Sequence, residues 1–384
     1  MLKIKPAQMF LLNLCDGKGV VDGKGVDAKA EPLFFWADAA KRKVLSLKRP
    51  DLFHIADMMT DMGDYCVAGF EGGKGFALTD KLGSRPVFFL ENGMAVSNRV
   101  ALLGKYGPDR IKLLPGSSLI ACGMEGVEVK KIDTEESLPE YSLEEALELS
   151  VKERVQESRK VAVAFSGGLD SSLIAFLAKK MTEVALFTLK VGEGEGKDEL
   201  AERSSQLLDA ELHYVQADEQ LLMQSFKSST SSVLWKSAMD YSIALGFQIV
   251  AQKAREEGYT FLLAGQGADE LFGGYRKYLV REKDEQSLLS LLSKDVAMLY
   301  VGAARDAEAI RDGGCIPSFP YMDERVALLA ENLPLSMKVK NGIGKSALRI
   351  SAKKLGLAES ICNVPKKAFQ YSSGMQKLVM KVFF

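Results

Sequence analysis

The segment Ser166–Ser172 combines residue types that suit the binding of phosphate and magnesium. It reads Ser-Gly-Gly-Leu-Asp-Ser-Ser, and two adjacent glycines let the backbone approach a ligand closely. Ser166, Ser171 and Ser172 offer hydroxyl groups, and a helix that starts here would add N–H donors and its positive dipole end. Asp170 can hold a magnesium ion that bridges phosphates. The Gly-Lys-Ser/Thr ending of a Walker A loop is absent, so another class of phosphate-binding loop is indicated.

A second glycine-rich segment, Gly265–Tyr275, follows the apolar run Phe261–Ala264. It reads Gly-Gln-Gly-Ala-Asp-Glu-Leu-Phe-Gly-Gly-Tyr. In open α/β sheets, ligands bind outside the carboxyl ends of the strands. We therefore expect Asp269 to face Asp170 across such an edge and to supply a second contact for magnesium.

The elements around these segments predict a parallel sheet. Short apolar runs typical of buried strands alternate with helical patterns, which favours right-handed crossovers between parallel strands. The predicted strands are Val161–Phe165, Val184–Leu189, Leu212–Val215 and Phe261–Ala264, and the predicted helices are Ser171–Lys180, Glu199–Leu208 and Tyr241–Glu257. From Ser287 onward the pattern is mainly helical.

The chain before residue 132 has a different pattern, typical of a β-rich domain. The predicted strands are Met9–Leu14, Pro32–Trp36, Tyr65–Phe70, Gly75–Leu78, Val87–Leu90 and Ser118–Ala121. The repeat Asp-Gly-Lys-Gly-Val, at Asp16–Val20 and Asp22–Val26, predicts a glycine-rich loop or hairpin. Ile132–Tyr141 predicts a linker, after which Ser142–Glu145 has the form of a capping box. The expected domains are residues 1–131 and 132–384.

Composition narrows the classes of function. Lys and Arg number 50 against 51 Asp and Glu, which argues against a protein that grips nucleic acid through its phosphates. No apolar run approaches the roughly 18 residues of a membrane span, so we expect none. Five scattered cysteines without a CxxC pair indicate reduced thiols and a cytoplasmic location. Two histidines nearly exclude a His-rich zinc site, so any metal should be bound by carboxylates.

The two glycine-rich segments carry a resemblance to a known family. Ser166–Ser172 resembles the SGGxDSS signature of the PP-loop ATP pyrophosphatases at every position, and Gly265–Tyr275 resembles the GxGxDExFGGY segment of asparagine synthetase and its relatives, including β-lactam synthetase. Pro320–Asp323, Gly344–Arg349 and Pro365–Phe369 resemble shorter motifs of that family. The resemblance implies an α/β domain with a PP-loop parallel sheet of the adenine nucleotide alpha hydrolase kind.

The resemblance also implies cofactors and roles. In that family the loop holds the β,γ-pyrophosphate of ATP while an acceptor attacks the α-phosphate. It implies ATP and Mg²⁺ as cofactors, with Asp170 and Asp269 as metal ligands and Lys345 as a catalytic cation at the α-phosphate. A compact cation there would stabilise the charge that grows in the transition state. The implied ATP-binding residues are Ser166, Gly167, Gly168, Leu169, Asp170, Ser171, Ser172, Leu189, Gly265, Gln266 and Gly267. Lys366 or Lys367 could also approach the phosphates, and a surface pair is an equal reading.

The N-terminal part resembles the glutamine-hydrolysing amidotransferase domain, which implies a β-rich α+β fold. Asp80–Phe89, Val96–Arg99 and Leu114–Gly116 carry this resemblance. Those enzymes cut glutamine with a cysteine at the mature N-terminus, whereas residue 2 is leucine here. We expect a degenerate glutaminase-like domain, with Cys15 as a core residue.

Two departures affect the expected acceptor. Gln266 stands where the family has an acidic residue, and an amide only hydrogen-bonds where a carboxylate can transfer protons. Ile316–Ser318 replaces the family's Glu-x-Arg. The leading hypothesis is an AMP-forming amide ligase that acts on a small carboxylate, with aspartate favoured, and on ammonia or another amine. The alternatives are a PP-loop enzyme with another acceptor, either β-lactam synthetase-like or tRNA-modifying, and a non-catalytic ATP-binding regulator. Membrane and nucleic-acid partners are not expected, and a homodimer is left open.

Overall fold

A computed structural model describes most of the chain and divides it into two compact units. The described residues are 2–3, 5–6, 9–14, 18–21, 24–27, 33–37, 46–47, 65–71, 74–123, 126–132, 140–156, 158–191, 198–364 and 374–384. The first unit comprises Met1–Pro139, Ala297–Ala304 and Met322–Leu328, and the second comprises Glu140–Val296, Arg305–Tyr321 and Leu329–Phe384. The domain division at residue 132 stays a prediction.

The first unit is rich in β-strands, as expected. Its strands are β1 (Leu2–Lys3), β2 (Lys5–Pro6), β3 (Phe10–Asn13), β4 (Lys18–Val21), β5 (Lys24–Asp27), β6 (Leu33–Ala37), β7 (Ser46–Leu47), β8 (Tyr65–Glu71), β9 (Lys74–Thr79), β10 (Phe88–Leu90), β11 (Ala95–Ser97), β12 (Ile111–Leu113), β13 (Ser118–Gly123) and β14 (Gly126–Lys131), with the short helix α1 (Val100–Leu103). The described strands form sheets ordered β12-β10-β11-β3-β4-β5 and β14-β13-β9-β8-β6-β2, and the pair β1-β7. Neighbours are antiparallel except β2 and β6.

Alternate residues of the two larger sheets build the core of this unit. Phe10 and Leu12 on β3 belong to one buried cluster with Cys66, Ala68 and Phe70 on β8. Side chains of a strand point to opposite faces in turn, so each sheet offers one apolar face to the other. The period of two in the predicted strands therefore reflects this shared core.

The tandem repeat forms a hairpin ladder. Strands β4 and β5 pair antiparallel, with Val21 opposite Lys24. A Cβ atom at Gly19 would lie 2.1 Å from the carbonyl oxygen of Leu11, so this glycine admits a close approach of the neighbouring strand. The tip of the hairpin and Cys15 lie outside the described residues.

From residue 140 onward, helices alternate with strands. The elements are α2 (Leu143–Val155), β15 (Lys160–Ala164), α3 (Leu169–Lys179), β16 (Glu183–Val191), α4 (Glu199–Leu208), β17 (Glu211–Ala217), α5 (Glu219–Ser228), α6 (Ala238–Glu256), β18 (Phe261–Leu263), α7 (Ala268–Phe272), α8 (Arg276–Leu279), α9 (Glu285–Ala297), α10 (Leu299–Asp312), β19 (Ile316–Ser318), α11 (Glu324–Glu331), α12 (Leu335–Lys338), β20 (Val339–Lys340), β21 (Ile343–Gly344), α13 (Ser346–Lys354), α14 (Glu359–Cys362) and α15 (Met375–Phe383).

A parallel sheet ordered β17-β16-β15-β18-β19 forms the centre of the second unit. The chain enters at β15, moves outward through β16 and β17, and then returns to the other side of β15 as β18 and β19. The order of strands therefore reverses between β15 and β18, which creates a topological switch point. The predicted mixed α/β fold, with this sheet and a β-rich N-terminal part, is confirmed.

Two elements of this unit differ from the sequence expectation. Ile316–Ser318 was expected in a helical region but forms the edge strand β19, paired with β18. Pro317 is compatible with an edge because a proline has no N–H to donate to a further strand. Glu219–Ser228 forms α5, whose first turn is capped by Asp218, although no helix was predicted there. A three-residue strand is too short to show periodicity.

One helical stretch meets the length and hydropathy of a membrane span, although the sequence reading expected none. Glu285–Asp312 reaches a mean hydropathy of 1.3 in its most apolar window, of which 28% is buried. Leucine, methionine and alanine raise this mean despite Lys294 and Asp295. Asp295 pairs with Lys277 at 2.5 Å and accepts a hydrogen bond from Tyr278. A single stretch of this kind is weak support for a span.

The capping box at Ser142 provides a test of local stability. Ser142 Oγ accepts the N–H of Glu145 at 3.2 Å, and the carboxylate of Glu145 accepts the N–H of Ser142 at 2.8 Å. We expect Ser142→Ala to lower the free energy of unfolding by about 1 kcal/mol, because the cap is lost. Denaturant titration measures it. Ser290→Ala, at an exposed position within α9, is the matched control and should have no such cost; equal losses would contradict the cap's role.

Candidate active site

The two glycine-rich segments meet at the switch point of the parallel sheet. Strands β15 and β18 are direct neighbours, with Val163 opposite Leu263, and each ends just before one of the segments. A Cβ atom at Gly265 would lie 3.1 Å from the Cβ of Asp170, so the second segment packs against the first. The structure thus brings together the two motifs that sequence spacing alone placed at one edge.

The first loop needs glycine at position 167. Gly167 has a φ of +71°, and a Cβ atom there would lie 2.7 Å from the backbone nitrogen of Ala201 at the start of α4. Ser204 Oγ donates to the carbonyl oxygen of Gly167 at 2.8 Å. A left-handed backbone and a close helix together exclude a side chain here.

Donor groups cluster at the start of α3. Gly168 is the N-cap, and no side chain caps this helix. Ser171 Oγ accepts the N–H of Ser166 at 3.2 Å and lies 3.3 Å from Ser166 Oγ. Ser172 Oγ is buried and has no hydrogen-bond partner among the described residues. Uncapped helical N–H groups and weakly engaged hydroxyls form a site suited to an anionic group such as phosphate.

A lysine joins the carboxylates of the two segments. Lys345 Nζ lies 2.5 Å from Asp170 Oδ2 and 2.6 Å from Asp269 Oδ1. The lysine side chain is 4% exposed, while those of Asp170 and Asp269 are 23% and 17% exposed. Charges so poorly solvated interact more strongly than they would in water, and the ammonium group offsets the repulsion of the two carboxylates. We call these three residues the ionic triad.

The backbone around Lys345 fixes the direction of its side chain. Lys345 is the N-cap of α13 with a φ of +60°, and its N–H donates to the carbonyl oxygen of Phe272 at 3.1 Å. Left-handed backbone is costly for a residue with a side chain and is found mostly where the surrounding structure imposes it, often at functional sites. Gly274 packs on the triad so closely that a Cβ atom would lie 2.0 Å from Asp269 Oδ1 and 2.2 Å from Lys345 Cε.

Further side chains support this arrangement. Tyr321 Oη donates to the carbonyl oxygen of Asp170 at 3.0 Å, and complete burial holds the pKa of Tyr321 well above its usual range. Arg349 Nε donates to the carbonyl oxygen of Gly344 at 3.0 Å, next to Lys345. These contacts explain why the segments Pro320–Asp323 and Gly344–Arg349 carry recognisable motifs. The sequence reading matched the motifs but did not assign either contact.

Two other pairs near the site were missed. Tyr275 Oη donates to Glu270 at 2.6 Å, and burial raises the pKa of the Glu270 carboxyl. Gln266 Nε2 donates to Asp306, which is fully buried. The signal for the first pair was the spacing of Glu270 and Tyr275 within one motif. Asp306 lies 40 residues beyond Gln266 in a helix, where sequence offers no such signal.

The remaining predicted site residues are not brought into this arrangement. Leu189 is buried on β16 and pairs with Val215 on β17, so its contact with ATP stays a prediction. Lys366 and Lys367, with the rest of Pro365–Phe369, lie outside the described residues.

The donor set fits magnesium held jointly with phosphates. Within the described part of the chain, no group of three or more His, Cys, Asp or Glu could form a metal cage. Asp170 Oδ1 is nonetheless buried and has no hydrogen-bond partner among the described residues. Magnesium in such sites is usually bound by one or two carboxylates and completed by water and substrate phosphates. Asp170 and Asp269 therefore fit this ion better than a protein-only site would.

The sheet and the glycine-serine loop at its switch point define an α/β domain of the PP-loop class. Comparison with known families matches the asparagine synthase family over residues 142–313 and 317–382. The chain therefore belongs to the asparagine synthase family. The resemblance that the two glycine-rich segments indicated is confirmed.

Individual relatives agree with this family. A Methanocaldococcus jannaschii protein named as glutamine-hydrolysing asparagine synthetase 1 is 32% identical over 64% of this chain and 52% of its own length. The glutamine-hydrolysing asparagine synthetase of Rattus norvegicus is 28% identical over 57% of this chain and 41% of its own length. The chain thus spans about half the length of these relatives. Among solved structures, the NMN synthetase of Francisella tularensis aligns with a TM-score of 0.35 and 15% identity over 60% of this chain and 78% of its own, which is too distant to bear on function.

The contact of Gly274 with the ionic triad gives a sharp test. We expect Gly274→Ala to abolish measurable binding of Mg-ATP, because the new methyl group would overlap Asp269 and Lys345. Calorimetric titration with Mg-ATP measures the binding. Gly104→Ala is the matched control, since a Cβ atom there meets nothing within 4 Å. Unchanged affinity in the folded Gly274→Ala variant would show that the triad is not part of the nucleotide site.

Proposed function

We propose that this protein is an ATP-dependent ligase that forms an amide, with AMP and pyrophosphate as the other products. The carrying observation is the ionic triad of Lys345, Asp170 and Asp269 at the switch point, beside an uncapped helix start. The family of the chain and the names of its relatives support the same reaction class. We propose aspartate as the carboxylate and ammonia as the amine.

Each part of the site has a role in this reaction. The loop Ser166–Ser172 binds the β- and γ-phosphates through its backbone N–H groups and hydroxyls. Asp170 and Asp269 would hold Mg²⁺, which withdraws negative charge from the phosphates. Lys345 stabilises the charge that develops on the α-phosphate as the carboxylate oxygen attacks it and the bond to pyrophosphate breaks. The nitrogen of the amine then attacks the acyl carbon, the bond to AMP breaks, and a proton passes to water.

The N-terminal unit is proposed to keep a glutaminase-like scaffold without hydrolysing glutamine. The segment that resembles the amidotransferase domain forms a tight turn organised by Asp80. Its carboxylate accepts N–H groups from Leu82 and Ser84, each at 3.0 Å, and from Tyr65 at 2.9 Å. These bonds are structural, which supports retention of the motif without catalysis. We also propose a cytoplasmic location, supported by the buried thiols of Cys315 and Cys362, which donate to backbone carbonyls.

Exchange of labelled pyrophosphate into ATP tests the first half of the reaction. We expect the full chain to catalyse exchange with one member of a panel of carboxylates, and to respond most strongly to aspartate. Stimulation by another carboxylate would replace aspartate, and stimulation by tRNA alone would indicate a tRNA-modifying enzyme. Binding of ATP without any exchange would identify a non-catalytic regulator and overturn the proposal.

Loss of either charge from the triad should abolish exchange. We expect Lys345→Met and Asp170→Asn each to reduce exchange by at least about a hundredfold, the scale seen when one preorganised transition-state contact is removed. Lys354→Met is the matched control, because this lysine lies on the same helix in an exposed ion pair with Glu144. Circular dichroism should show all three variants folded. Exchange at the wild-type level in Lys345→Met would contradict the assigned role.

Glutamine should not serve as the nitrogen donor. We expect amide formation with ammonium chloride and none with glutamine, because residue 2 lacks the nucleophilic thiol of the glutamine-hydrolysing relatives. A coupled assay for released glutamate measures hydrolysis directly. Release of glutamate above the uncatalysed rate would disprove the inactive-scaffold assignment while leaving the ligase proposal intact.

A further inference from the structure

Gln266 lies at the edge of the candidate site in a fixed orientation. It follows Gly265, which packs against Asp170, and its side chain is half-buried. Its Nε2 atom donates to Oδ2 of Asp306. An amide has one donor end and one acceptor end, so this bond commits the donor end to Asp306 and leaves Oε1 as the end able to meet a substrate.

Asp306 is itself held in place from the other side. It is fully buried, and its Oδ1 accepts the Nε–H of Arg305 at 2.7 Å. The same arginine donates from Nη1 to Asp240 Oδ1 at 2.7 Å. The other oxygen of Asp240 accepts from Ser237 at the capping box that begins α6. A chain of charged hydrogen bonds therefore runs from the start of one helix to the amide of Gln266.

This chain has no role in the structure of the phosphate loop. Neither Asp306 nor Arg305 contacts the ionic triad, and their contacts lead only to Gln266 and to α6. A surface-exposed glutamine would need no such support, because solvent satisfies its amide. Two buried charged groups that orient a single amide instead indicate that its direction matters for a ligand.

We propose that Gln266 is a specificity residue for the amine substrate and that Asp306 is the positioning residue that orients it. Gln266 Oε1 accepts an N–H of the incoming amine and so aligns the nitrogen lone pair with the acyl carbon. An amide takes up no proton, so the proton released when the C–N bond forms and the bond to AMP breaks passes to water. This inference rests on the proposed ligase function and assigns the site of its second substrate.

Two variants separate this role from the first half-reaction. Gln266→Met removes the acceptor oxygen at similar volume, and Asp306→Asn lets the amide of Gln266 reverse. We expect either change to raise the KM for ammonia about tenfold, the effect of one lost hydrogen bond, with kcat and aspartate-dependent pyrophosphate exchange within about twofold of wild type. Asp312→Asn is the matched control: it lies on the same helix but accepts only from the loop Ser229–Ser231 among its printed contacts, and should leave the KM for ammonia unchanged.

The outcomes distinguish the inference from the function on which it rests. Wild-type protein without exchange would mean that the proposed ligase function fails. Wild-type exchange together with an unchanged KM for ammonia in Gln266→Met would overturn the inference alone. Exchange and KM affected by the same factor would place Gln266 in the activation step and would also overturn it. If Asp306→Asn does not fold, Gln266→Met decides the result, because its half-buried side chain tolerates the change.

Discussion

Two carboxylates brought to one sheet edge repel each other, and the ammonium group of Lys345 makes their proximity tolerable. Asp170 arrives after β15 and Asp269 after β18, because the reversal of strand order places the ends of these strands side by side. Burial weakens the screening by water, so removal of the lysine would leave two uncompensated charges at a poorly solvated point. The left-handed backbone of Lys345 and the absence of a side chain at Gly274 both follow from the need to deliver that ammonium group.

A second set of buried charges surrounds the site without touching the triad. Asp306, Arg305 and Asp240 satisfy one another, and the uncommitted hydrogen-bonding end of the set is the amide of Gln266. Buried ionic groups add little stability in general and are better justified by the geometry that they specify. The site therefore contains one charged group that faces the phosphates and another that fixes a neutral amide, and the two divide electrostatic work from recognition.

Much of this architecture was readable from sequence because the signals were local. Glycine pairs after apolar runs located both loops, and the alternation of strands with helices predicted the parallel sheet. The edge strand Ile316–Ser318 was not readable, since three residues with a central proline show no period. Asp306 was not readable either: its partner Gln266 is distant in sequence, and only packing of α10 joins them. Lys345 was assigned by resemblance alone, and its contact with both carboxylates required three-dimensional structure.

The separation of Asp170 and Lys345 along the chain has a consequence for folding. The two residues are 175 positions apart, and Asp269 lies between them in sequence. During synthesis both acidic groups leave the ribosome before the lysine does, and long loops must close before the three can meet. Strands β15 to β18 can pair earlier, but their loops carry unneutralised like charges until α13 docks. Completion of the site is thus a late event in folding, and an intermediate without α13 would have the sheet but not the ionic triad.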